Sequence, residues 1–145
     1  MKRTLRYLAI SLSLFAPFLA LRAYAGVDGT YALDVESLKE AASQMPEFQN
    51  MPEEQRDQAL TMFDGMKITM TLKDGEFIGH AEAMGQVHEG KGTYLIDGDV
   101  ITITTTEEDG QPKAEKEVQK AKLEGDRILI QEEGMPFAVS LVKVE

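Results

Sequence analysis

The sequence predicts a mainly β protein: an antiparallel up-and-down meander of about eight strands, closed or partly open as a barrel, with a two-helix insert between strands 1 and 2. Three observations predict it. From Met66 onward, short alternating apolar and polar segments are separated by Asp-Gly or Gly-Asp dipeptides, the chemistry of tight hairpin loops. Over residues 36–65 the apolar residues instead recur with a helical period. Hairpin-sized fragments also repeat. Gly29-Thr30-Tyr31 returns as Gly92-Thr93-Tyr94, and Gly98-Asp99-Val100-Ile101 resembles Gly125-Asp126-Arg127-Ile128, as in a barrel assembled from similar units.

In chain order, residues 1–25 read as a cleavable secretory signal peptide. Lys2, Arg3 and Arg6 form a basic start, and no acid precedes Asp28. The apolar run from Leu8 to Leu21 is shorter than the ~20 residues a membrane-spanning helix needs. It ends in Ala23-Tyr24-Ala25, a small-x-small cleavage signal. The expectation is a single domain over residues 26–145, periplasmic or secreted, with no membrane attachment after cleavage. The chain has no cysteine, so its stability must come from a hydrophobic core rather than from disulfides.

The first strand is expected over Gly29 to Val35, and the helical insert over about 36–65. Ser37-Leu38-Lys39-Glu40 reads as a capping box that opens a helix with Leu38, Ala41, Ala42 and Met45 on one stripe, stopping at Pro46. A second helix begins between Asn50 and Glu53, tolerates Pro52 in its first turn, and ends at Asp64-Gly65. It places Ala59, Met62, Phe63 and Met66 on one face.

The loops then fix the registers of the meander. An Asp74-Gly75 loop pairs Lys73 with Glu76, Met70 with Gly79 and Ile68 with Ala81, leaving one face apolar and the other polar with Lys67 opposite Glu82. A three-residue loop Ala83-Met84-Gly85 would set His80 opposite His88, and Asp97-Gly98 would set Tyr94 opposite Ile101. Together these registers leave a one-residue conflict, which a β-bulge at Gly90-Lys91-Gly92 would absorb. A Gly125-Asp126 loop pairs Glu124 with Arg127. The last strand, Phe137 to Val144, is apolar on both faces.

Beyond residue 25 there are 11 basic and 25 acidic residues, a formal charge of −14 against −10 for the whole chain. Such a field disfavours nucleic acid and anionic membranes, neither of which is expected as a partner, and concentrates cations around the protein.

The order of one strand, two helices and about seven further strands resembles the calycin plan of lipocalins and intracellular fatty-acid-binding proteins, and the small bacterial exported proteins described as lipocalin-like. The resemblance implies a barrel whose mouth is capped by the helices. Gly29-Thr30-Tyr31 stands where lipocalins carry Gly-x-Trp, and the Arg-x-Tyr pair that holds a fatty-acid carboxylate in that family has no counterpart, since the last strand offers only Lys143. The resemblance therefore implies a ligand other than a fatty acid held in that manner.

Chemistry-bearing motifs are few. The inward positions of the third strand are Phe77, Gly79, Ala81 and Ala83, three of them small, so either the helices pack down into that volume or a pocket persists beneath a lid. Met45, Met51, Met62, Met66 and Met70 cluster near it, and thioethers adapt to irregular apolar contacts. His80 and His88 are expected on the outer face with too few companions for a metal site, and neither metal nor cofactor is expected. Ser37, Ser43 and Ser140 are the serines beyond residue 25, and none lies in a nucleophile motif. The expectation is a non-enzymatic exported binding module for a hydrophobic or cationic small molecule, lined by Met62, Phe63, Met70, Phe77, Tyr94 and Ile101. The alternative is a structural or interaction protein that binds another periplasmic or secreted protein through a sheet edge or the helical pair.

Overall fold

Alternation of apolar and polar residues, punctuated by two-residue loops, folds the chain into eight antiparallel strands that close on themselves. The computed structural model describes residues 26–145, so the expected signal peptide lies outside the described residues. The strands are β1 (Gly29–Leu33), β2 (Lys67–Lys73), β3 (Glu76–Ala83), β4 (Gln86–Asp97), β5 (Val100–Glu108), β6 (Gln111–Glu124), β7 (Arg127–Ile130) and β8 (Val139–Lys143). Each pairs with its sequence neighbour, and β1 closes the barrel against β8 through Tyr31–Lys143, Ala32–Val142 and Leu33–Leu141.

Three helices, not two, connect β1 to β2: α1 (Val35–Ser43), α2 (Pro46–Gln49) and α3 (Glu53–Asp64). The first strand is shorter than expected because Asp34 takes the capping role assigned to Ser37. Its carboxylate accepts the Ser37 N–H at 3.1 Å, which puts the helix start three residues earlier. Leu38 and Ala42 are buried as the stripe predicts. Pro46 stops α1 but also opens the single turn of α2, where its fixed φ suits the first helical position. That turn buries Phe48.

Two expected loops move by one residue. The β3–β4 loop is Met84-Gly85 rather than Ala83-Met84-Gly85, pairing Ala83 with Gln86 and Ala81 with His88. Both of its residues have positive φ (52° and 77°), the geometry whose twist matches the flanking strands. The β4–β5 loop is Gly98-Asp99, pairing Tyr94 with Ile103 and Ile96 with Ile101. The first correction reverses the facing of lower-numbered β4 residues, so even-numbered positions from Gln86 to Ile96 share one face and the conflict within β4 disappears. The irregularity occurs beside the expected glycines, between Lys91 and Gly92, but the extra residue is Thr106 on β5. The Asp74-Gly75 and Gly125-Asp126 registers match the expectation pair for pair.

An up-and-down barrel puts alternate connections at the same end. The packed end gathers the β2–β3, β4–β5 and β6–β7 loops with both ends of the described chain. Tyr31, Leu72, Phe77, Tyr94, Ile101 and Ile128 fill it, and Leu141 lies where the packing meets the cavity above. Residues 27–28 cross beneath them: Tyr31 donates its hydroxyl to the Val27 carbonyl at 2.7 Å, and Tyr94 donates to Asp28. The other end gathers the helices, the β3–β4 and β5–β6 loops, and residues 131–138. Ser140 and Leu141 are consecutive and both buried, because α1 covers the outer face of β8 while Leu141 points into the barrel.

Candidate functional site

The small inward residues of β3 leave space at the helical end. A half-open cavity of about 470 Å³ lies there, lined by Gly79 and Ala81 from β3, Gly90 from β4, Ile68 and Met70 from β2, and Leu33 from β1. Leu38 of α1, Phe63 of α3 and Met66 cover it from above, and Met135 and Phe137 close one side. This volume falls within the ~300–1,000 Å³ of small-molecule sites.

The side wall is uneven. β7 pairs with β6 only over Ala121–Glu124, so β6 above Ala121 has no β7 neighbour, and residues 131–138 run past this stretch instead. Glu132, Met135 and Phe137 of that segment line the cavity, as do Glu117 and Gln119 of β6. Gln131 fixes the segment by donating to the Met135 carbonyl at 2.7 Å.

The rim opposite the apolar wall is polar. Lys113 lies 2.8 Å from Glu108 and 2.9 Å from Glu117, and these two carboxylates, Glu108 first, push its pKa up to about 12. His80 and His88 both contribute to the cavity lining, but His88 pairs with Ala81 and His80 with Thr69 and Glu89, so the two histidines are not opposite each other as expected. His88 Nδ1 lies 2.9 Å from Asp109, whose other oxygen accepts the Glu89 N–H at 2.8 Å. These two contacts, the Glu89 N–H first, hold the Asp109 carboxyl below the usual aspartate range. Among the described residues there is no grouping of three or more metal-ligating side chains.

The six expected lining residues divide. Phe63 and Met70 line the cavity. Phe77, Tyr94 and Ile101 are 5%, 1% and 0% exposed and form the packed floor below it. Met62 is 52% exposed, because α3 turns Phe63 rather than Met62 toward the barrel. Ile68, opposite Ala81, could have been added from the hairpin register alone. Met135 and Lys113 could not, since residues 131–136 carry no periodic pattern and the β5–β6 register is irregular past Thr105, and Phe137, expected to open the last strand, lies before it because that strand begins at Val139.

The fold and site define a closed eight-stranded antiparallel barrel, packed at one end and hollow under helices at the other. No protein-family model, curated protein or solved structure matches this chain.

Proposed function

We propose that this chain is a non-enzymatic exported binding module of lipocalin-like type, which takes a hydrophobic or cationic small molecule into the helix-covered mouth of its barrel. The observation that carries this reading is the apolar cavity of about 470 Å³, bounded by Gly79 and Ala81 below and by Phe63 and Met66 above. Packed small barrels fill this volume with their own side chains. Export rests on the signal-like residues 1–25, and the strongly acidic domain suits a neutral or cationic ligand better than an anionic one. Native mass spectrometry of the protein purified from an export compartment, before and after organic extraction, tests the proposal. A co-purifying mass that extraction removes supports it. No such mass, with no thermal shift across a panel of lipids and amphiphiles, rejects it.

A second reading rests on the upper half of β6, which has no β7 partner. There an extended segment of another exported protein would add a strand. Lys116 and Lys120 along this stretch disfavour pairing between copies of the chain, so the partner would be a different protein. Pull-down from an export-compartment extract separates the two readings.

A further inference from the structure

The polar rim holds a charge arrangement that an apolar ligand would not need. Glu108, Lys113 and Glu117 all line the cavity, and the Lys113 side chain is 22% exposed, held at the mouth between the two carboxylates. Glu132 lines the cavity from the neighbouring segment, and its carboxylate has no ion-pair partner among the described residues. These four side chains put three negative charges against one positive charge beside an apolar wall.

Resting on the reading of the cavity as a binding site, we infer that its ligand is a single-chain amphiphile with a cationic head group. The tail lies against Phe63, Met66 and Ile68, and the head takes the position between Glu108 and Glu117 now held by the Lys113 ammonium, with Glu132 beside it. Lys113 is thus a tethered stand-in for the head group. It neutralises the carboxylates in the empty protein and swings out when a ligand cation replaces it. A carboxylate head would bring a fourth negative charge against Glu108, Glu117 and Glu132 with only the doubly paired Lys113 to attract it, whereas a cation that displaces Lys113 into water leaves both carboxylates paired. The volume suits one chain, since about 470 Å³ holds ~15 groups of the size of a water or methylene.

The test uses the domain spanning residues 26–145 and isothermal titration calorimetry with three twelve-carbon probes below their micelle concentrations: dodecyltrimethylammonium, laurate and dodecyl maltoside. Dodecyltrimethylammonium is expected to bind at least ~10-fold more tightly than laurate at low ionic strength, with the advantage shrinking as salt is added. Lys113→Met is expected to tighten dodecyltrimethylammonium several-fold, because the internal competitor is gone, and Glu132→Gln to weaken it. Glu132→Gln lies on an exposed segment and keeps the test valid should Lys113→Met fold poorly. Equal or tighter binding of laurate or maltoside, or weaker cation binding by a folded Lys113→Met, overturns the head-group assignment and leaves the binding reading standing. No binding of any probe overturns both.

Discussion

Asp34 joins three elements through one carboxylate. One oxygen caps α1 by accepting the Ser37 N–H at 3.1 Å, and the other accepts from Arg127 of β7 at 2.8 Å. Arg127 also donates to the buried Ser140 hydroxyl of β8 at 3.0 Å. Those contacts, the Ser37 N–H foremost and Arg127 next, hold the Asp34 carboxyl below the ordinary aspartate range. Because the folded-state pKa is lowered, the stabilisation is complete above the unfolded value of ~3.9 and is lost as pH falls through the folded-state value. Asp34→Ala is expected to cost about 1–2 kcal/mol in denaturant unfolding at pH 7. The gap in melting temperature between wild type and Asp34→Asn should narrow as pH drops below ~4. At the packed end, Tyr94→Phe removes the hydroxyl that donates to Asp28 and should cost about 1 kcal/mol by the same unfolding measurement.

At the scale of the strand, glycines at 79 and 92 have opposite meanings. A Cβ on Gly92 would sit 1.9 Å from the Thr104 carbonyl oxygen and 2.8 Å from a Phe77 ring carbon, so Gly92→Ala must distort the β4–β5 ladder. A Cβ on Gly79 meets nothing closer than 3.7 Å and faces the cavity. Gly79→Val is therefore expected to keep or raise the melting temperature while reducing uptake of any cavity ligand, as read by paired thermal melts and titrations. These strands also show how far sequence reasoning reaches. The Asp74-Gly75 hairpin was legible because a charge pair at Lys73–Glu76 and an apolar face at Met70–Gly79 agree on one register. The β3–β4 loop was not, because Ala83 and Met84 carry no turn preference that separates a two-residue loop from a three-residue one. The floor residues Phe77, Tyr94 and Ile101 and the lining residue Met70 share the inward pattern, and nothing in that pattern says at which height the packing stops. The small residues at 79 and 81 did mark the height of the cavity, and the solitary turn of α2 left no period to read.

For the molecule as a whole, the two ends of the barrel should differ in local stability. Side chains at 0–2% exposure, Leu72, Ile101 and Ile128 among them, crowd the packed end, while the helical end surrounds open volume. Amide hydrogen exchange is expected to be slowest in the strand segments around these residues and faster over Ala81, His88 and residues 131–138. A bound ligand should slow exchange at the second set and leave the first unchanged, a pattern readable by mass spectrometry of peptic peptides. The strand count, the closure-compatible meander and the position of the helical insert followed from loop chemistry and periodicity. Closure itself depends on three β1–β8 residue pairs that are distant in sequence and leave no local signature. The separation of floor from mouth has a practical corollary for anyone altering this protein. Side chains at positions 63, 66, 113 and 132 can be randomised to retarget the mouth while the residues that secure folding stay fixed, so a library confined to them would sample specificity with little loss of foldable members.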